Sequence, residues 1–201
     1  METLQKKTKL GLVLATDPRW VNIAEKQIED ILSDHAWCEQ KAATTCISLI
    51  VKYAHYEQIV EQVSPVVAEE WGHFRRVLKE LKKRGMTLAP PRKDEYVKQL
   101  FALEKQGLNR EQVLVEKLLI SAMIEARSCE RFRLLSLHIN DPELKSFYHE
   151  FMESEAGHYH MFIHLAKSVL PSEYVMKRWD EFLIQEAEIM KNMELRGDRM
   201  H

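Results

Sequence analysis

Glu70-Trp71-Gly72-His73 and Glu155-Ala156-Gly157-His158 are two copies of one four-residue pattern, 85 residues apart in a chain of 201. In each, glutamate and histidine stand at i and i+3, the spacing that sets two side chains next to each other on one helix face. In each, glycine precedes the histidine. Working outward, Glu39 lies 31 residues before Glu70, and Glu125 lies 30 residues before Glu155. The composition alone yields about one Glu-x-x-His by chance, so the motif by itself carries little. The duplication, the matched upstream glutamates and the shared glycine carry much more.

The flanking residues read as helices. From about residue 24 to 53 the positions Ile28, Leu32, His35, Glu39, Ala42, Cys46, Leu49 and Tyr53 step by three or four and share a face. Asp17-Pro18 reads as a helix start before this stretch. A short turn over Glu57–Gln62 is expected next, with a restart at Ser64-Pro65. The helix that follows carries Val66, Glu70, His73, Val77 and Leu81 inward and stops at Lys83-Arg84-Gly85. Residues 85–109 form a long connection with Pro90-Pro91 and a short helix around Glu95–Glu104. Asn109 caps a third long helix running to Ile139, with Leu118, Ser121, Glu125, Ser128 and Phe132 on its stripe. Asp141-Pro142 opens a fourth, ending before Pro171, with Tyr148, Met152, Glu155, His158 and Phe162 inward. Ser172 caps a fifth that reaches roughly Met193, and the residues beyond it are expected to fray.

Composition agrees with an all-α chain. Hydrophobic residues make up 45% and charged residues 30%, which excludes a disordered chain, and 6 Gly with 6 Pro are too few for a turn-rich all-β fold. The length suits a single domain over residues 1–201. No apolar run approaches the roughly 18 residues of a membrane span. The stretch Leu10–Leu14 is shorter than a signal-peptide core, and Cys38, Cys46 and Cys129 form no C-x-x-C pair. These features give the expectation of a cytoplasmic protein with no membrane partner. The net charge of −2 supplies no global field for nucleic acid, so any such binding must rest on local patches.

The six residues interrupting the apolar stripes are Glu39, Glu70, His73, Glu125, Glu155 and His158. A step of about 30 residues through an antiparallel hairpin, with arms of about 20 Å, returns to the same height on the neighbouring helix. All six can then converge on one core layer. Four carboxylates and two imidazoles suit two Fe or Mn ions. Two hairpins joined by one long crossover define a ferritin-like four-helix bundle, here with a short N-terminal and an extra C-terminal helix. Unpaired carboxylates buried there would each cost several kcal/mol. Glu69, Glu130 and Glu153 fall off the stripe. His35, one turn before Glu39, is either an outer partner of the site or a packed core histidine. Tyr53 and Tyr148 read as core aromatics, and His160 and His164 as surface residues.

The segments Asp34–Ala43, Ser64–Phe74, Glu125–Phe132 and Ser154–Tyr159 resemble the MiaE family of tRNA hydroxylases. The resemblance spans almost the whole chain. It implies a non-haem diiron monooxygenase that uses O₂ and two electrons from an external donor, an electron-transfer protein or reductase. The implied substrate is 2-methylthio-N6-isopentenyladenosine beside the tRNA anticodon, hydroxylated on its isopentenyl chain. The six residues would hold two Fe ions. Basic groups suited to tRNA phosphates are Arg75, Arg76, Lys79, Lys82, Lys83 and Arg84, with Arg92 and Lys93, and a second set at Arg127, Arg131 and Arg133. Two other readings stay open: a ferritin-like peroxidase or ferroxidase with a small substrate, and a helical interaction module without metal. The resemblance leaves a monomer or a dimer equally open.

Overall fold

A computed structural model describes Thr8 and residues 10–201. Among the described residues there are seven α-helices and no strand: α1 (Arg19–Ala24), α2 (Ile28–Lys52), α3 (Glu57–Lys83), α4 (Glu95–Phe101), α5 (Arg110–His138), α6 (Pro142–Val169) and α7 (Ser172–Asn192). A single 3₁₀ turn, Glu25–Gln27, lies between α1 and α2. None of these helices is long and apolar enough to cross a membrane. The chain divides into two compact units. One holds residues 22–93 and 196–200; the other holds the N-terminal segment ending at Val21, residues 94–195 and His201.

The first unit is the α2–α3 hairpin. Ile31, Leu32, Cys46, Leu49, Ile59, Val63, Val66, Val77 and Leu81 are buried along its seam, the period-3.6 stripe that the sequence displays. The expected break at Ser64-Pro65 is absent: α3 is one helix of 27 residues with Pro65 inside it. Proline removes one backbone hydrogen bond there. Burial of Ile59, Val63 and Val66 on both sides of that position favours continuing the same helix. At the other end, Gly85 takes φ +68°, Met86 N–H donates to Leu81 O at 2.9 Å and Gly85 N–H to Lys82 O at 3.1 Å, closing the helix with a left-handed cap. The chain then returns beside α2, where Trp37 Nε1–H donates to Ala89 O at 2.8 Å.

The residues expected to fray do not. Asp34 on α2 accepts from Met200 N–H at 2.7 Å and from Arg199 at 2.8 Å, and Met200 is fully buried. Asp198 bridges Arg92 and Arg196, each at 2.8 Å. The hydrogen bond from Arg196, first among its causes, holds the Asp198 carboxyl below the usual aspartate range. Gly197 presses on α1, where an added Cβ would sit 2.5 Å from the carbonyl carbon of Ile23. The polar, glycine-containing composition of the tail concealed a segment held by specific pairs.

The second unit is built on the α5–α6 hairpin. Asn109 and Gln112 form a reciprocal capping box at the start of α5. Asp141 accepts from Glu143 N–H and Leu144 N–H at the start of α6, with Pro142 at its first position. α4 is shorter than expected, ending at Phe101, and is capped by Asp94. α7 packs back on this unit through Val175, Trp179, Phe182 and Leu183. α5 is buried around nearly its whole circumference between Leu114 and Phe132, with α6, α7, α4 and the N-terminal segment all drawn to it.

Gly197→Ala is expected to lower stability by about 1–3 kcal/mol, the usual cost of forcing an atom into a filled site. Urea unfolding checks it; an unchanged midpoint would show that the tail does not depend on that close approach.

Candidate metal centre

Within the α2–α3 unit, Glu39, Glu70 and His73 each direct a ligand atom to one point, and the three atoms lie within 4.8 Å of one another. All three residues are buried. Glu39 comes from α2, and Glu70 with His73 from successive turns of α3. His73 Nδ1 is 3.2 Å from Glu39 Oε2 and 3.6 Å from Glu70 Oε2. The α5–α6 unit repeats the arrangement. Glu125 from α5 and Glu155 with His158 from α6 are buried, with their ligand atoms also within 4.8 Å of one another, and His158 Nδ1 is 3.4 Å from Glu155 Oε2.

Two carboxylates and one imidazole in a dry pocket form a donor set suited to Fe or Mn. Without a cation the three groups would concentrate negative charge in a low-dielectric core, at a cost of several kcal/mol per ion. The residues present therefore fit half of a dimetal site in each unit.

His35 is not merely packed. It is fully buried, and its Nε2 lies 2.7 Å from Glu39 Oε1, the carboxylate oxygen remote from His73. Fixing one oxygen of a ligand carboxylate sets the direction of the other. At the matching place on α5, one turn before Glu125, stands Ser121. The two halves therefore repeat their ligands but differ in what orients them. The shared glycines have no steric reason behind them: a Cβ at Gly72 or Gly157 would meet nothing within 4 Å.

Arg127 and Arg131, expected to face tRNA, do not. Arg127 is fully buried and forms a two-pronged pair with Glu186 on α7, both contacts 2.9 Å, besides bonds to Thr16 Oγ1 at 3.1 Å, Glu130 at 2.5 Å and Leu14 O at 2.9 Å. Glu186 also accepts from Tyr96 Oη–H at 3.1 Å. Burial, then the neighbouring Glu186 charge, pushes the Tyr96 phenol well above its usual range. Arg131 is buried over the Trp20 ring at 4.4 Å, and burial followed by repulsion from Arg127 brings it down to about 10. These arginines bind α5 to α7 and to the N-terminal segment. Glu130 serves the same network through Thr16, which agrees with its place off the ligand stripe. A second buried pair, Arg178 with Glu116 at 2.6 and 2.7 Å, fixes α7 to the start of α5. Nothing in the periodicity marked Glu116, Arg178 or Glu186, because each partner lies more than 50 residues away. His160 and His164 are exposed, and Tyr148 is a buried aromatic stacked on Phe132 at 5.6 Å, as expected.

Beside the ligand-bearing turns of α5 and α6 lies a cavity of about 740 Å³. Ala126 and Ala156, each next to a ligand glutamate, line it with Cys129, Met152, Leu10 and Pro18.

An all-α chain with paired Glu/Glu-x-x-His sets has the architecture of the ferritin-like class, and its buried donor sets fit a dimetal site. A solved structure, protein 43 with aldehyde deformylating oxygenase activity from Synechococcus, superposes with a TM-score of 0.88 at 32% identity and covers 94% of each chain. Residues 3–201 match the family model described as tRNA-(MS[2]IO[6]A)-hydroxylase (MiaE), and the chain belongs to that family. A relative from Pseudomonas putida named tRNA 2-(methylsulfanyl)-N(6)-isopentenyladenosine(37) hydroxylase is 40% identical over 151 residues, 75% of this chain and 72% of its own. A relative of the same name from Salmonella typhimurium is 27% identical over 186 residues, 69% of this chain and 68% of its own.

Two outcomes follow. His35→Ala is expected to lower metal content per chain while helicity by circular dichroism stays close to wild type; full metal content would remove His35 from the site's support. Arg127→Ala is expected to cost about 3–5 kcal/mol of stability, because it leaves Glu186 buried and unpaired. Denaturant unfolding measures this, and a loss under 1 kcal/mol would contradict the network's role.

Proposed function

We propose that this chain is a diiron monooxygenase that hydroxylates the isopentenyl chain of 2-methylthio-N6-isopentenyladenosine next to the anticodon of tRNA. The observation that carries it is the duplicated buried triad, two glutamates and a histidine within 4.8 Å in each unit, in a chain of this family. In this reading the two units form one domain over residues 1–201, and Glu39, Glu70, His73, Glu125, Glu155 and His158 together hold two Fe ions.

The bound irons would supply the redox chemistry that activates O₂. The balance is one oxygen atom into a C–H bond and the other released as water, with two electrons and two protons from an external electron-transfer protein or reductase. The chain's own residues do the rest. The glutamates hold the charge of the ions in a core from which water is excluded. His35 keeps the Glu39 carboxylate turned toward its partners. The cavity beside Ala126 and Ala156 offers apolar walls to a branched five-carbon chain, and both alanines adjoin ligand glutamates. A larger side chain at either place would fill that space. Exposed Arg75, Arg76, Lys79, Lys82 and Lys83 on α3 supply phosphate contacts, since Arg127 and Arg131 of the second group are buried. The working place of such an enzyme is the cytoplasm.

The test is mass analysis of nucleosides after the iron-loaded, reduced protein meets O₂ and isopentenylated tRNA. Wild type is expected to add one oxygen atom to that nucleoside. Glu155→Ala is expected to abolish the gain and lower metal content with helix content kept. A wild-type preparation with two irons per chain that consumes O₂ without modifying the nucleoside would overturn the reading in favour of peroxide or iron-oxidising chemistry.

A further inference from the structure

We propose that the solvent-exposed face of the α2–α3 hairpin docks RNA, with Trp71 as a stacking platform for an unpaired base and Arg75, Lys79 and Lys82 as phosphate contacts. The proposal rests on the tRNA reading above and adds to it the surface and the mode of recognition.

Three large apolar side chains stand unusually exposed on this hairpin: Ile47 at 49%, Val51 at 73% and Trp71 at 48%. They are not scattered. All three line one shallow groove of about 440 Å³ between α2 and α3, which is the kind of contiguous patch that marks an interaction site. Trp71 is also the outer member of an aromatic ledge. Its ring centroid lies 5.0 Å from that of Phe74, which lies 6.2 Å from that of Trp37. The Trp37 indole N–H is held by Ala89 O at 2.8 Å, so the inner end of the ledge is fixed. A platform of this kind is ordered before a ligand arrives, which reduces the entropy lost on binding.

The cations share the stripe. Arg75 is one turn beyond Trp71, and Lys82 stands at i+11, three turns on, with Lys79 between them. All three are exposed, and their side chains form no ion pair or hydrogen bond among the described residues. The acids on this part of the hairpin are engaged elsewhere: Glu80 is bound to Arg84 at 2.7 Å, and on the part of α2 that runs beside the C-terminal half of α3, Glu29 accepts from Thr87 N–H at 3.0 Å, Asp30 lies 3.4 Å from Arg92 and Asp34 is bound to Arg199 at 2.8 Å. Beside the apolar groove, α2 contains no Asp or Glu from Gln40 to Lys52. Trp71 to Lys82 spans about 16 Å of helix, a length over which a nucleic-acid strand presents several phosphates.

Surplus positive charge alone would suit any acidic partner. An exposed indole in line with unpaired cations is the arrangement that unpaired RNA bases require: stacking on an aromatic face with the backbone taken by Lys and Arg. Register also favours RNA. Trp71 follows Glu70 and Phe74 follows His73, so a strand held on the ledge is indexed to the very turns of α3 that carry the ligands.

The experiment compares wild type, Trp71→Ala, Trp71→Phe and the triple variant Arg75→Gln/Lys79→Gln/Lys82→Gln, each with metal content and helicity measured. Binding to a fluorescent, isopentenylated anticodon stem-loop is followed by anisotropy across a salt series, and hydroxylation is assayed on the same preparations. Trp71→Ala is expected to weaken binding by about 5- to 100-fold, with Trp71→Phe retaining most of it. The triple variant is expected to reduce the salt slope by about two to three. If wild type hydroxylates the tRNA while Trp71→Ala binds as well as wild type, the docking surface is overturned and the function stands. If the variants bind RNA normally but accept electrons slowly from an acidic donor protein, the face belongs to that partner and the proposal fails. If wild type neither binds nor hydroxylates the RNA, the tRNA reading falls and takes this surface with it.

Discussion

Burying carboxylates inside an apolar helical core is the constraint to which the rest of this molecule answers. Glu39, Glu70, Glu125 and Glu155 are all buried with their two histidines, His73 lying 3.2 Å from Glu39 and 3.6 Å from Glu70, and His158 3.4 Å from Glu155. A structural ion pair would have been an easier way to keep a carboxylate inside. The same chain does this elsewhere, with Arg127 against Glu186 and Arg178 against Glu116. The contrast separates two kinds of buried charge. One kind is neutralised by guanidinium groups and joins helices together. The other brings acids and imidazoles to one point and suits a metal ion.

The two halves share the Glu and Glu-x-x-His residues and their spacing but differ in support. On α2 His35 lies 2.7 Å from Glu39, whereas α5 offers a serine at the corresponding turn. α5 is enclosed on all sides and anchored by arginines, while α2 and α3 keep one face in solvent with its apolar and basic side chains unshielded. A duplicated Glu/Glu-x-x-His pattern thus sits on two different scaffolds. One is wrapped by additional helices, and the other keeps exposed apolar and basic side chains.

Most of the helices and their caps were legible in the sequence because each depends on residues close together in the chain, whereas Ser172, expected to cap α7, is its first residue, after Pro171. Asn109, Asp141 and Gly85 sit where capping chemistry requires them. Glu39, Glu70, Glu125 and Glu155 stood out because polar residues broke an otherwise apolar stripe. What escaped depended on distance. Arg127 beside Glu125 suggested an exposed cation, but its partner Glu186 lies 59 residues on and turns it into a core residue. The tail looked frayed because Asp34, which holds it, is over 160 residues away. Pro65 suggested a break because proline is read locally, whereas burial on both sides decided the outcome.

Gly72 and Gly157 carry a consequence for metal loading. A glycine inside a helix costs roughly 0.5–1 kcal/mol relative to alanine, and here neither close packing nor a left-handed backbone requires it. Each falls between a glutamate and a histidine of the proposed metal site, so the turn of α3 and of α6 that would hold an ion contains a poor helix former. A cation held by the residues at i and i+3 would act as a staple across that turn, and metal occupancy and local helix order would then rise and fall together.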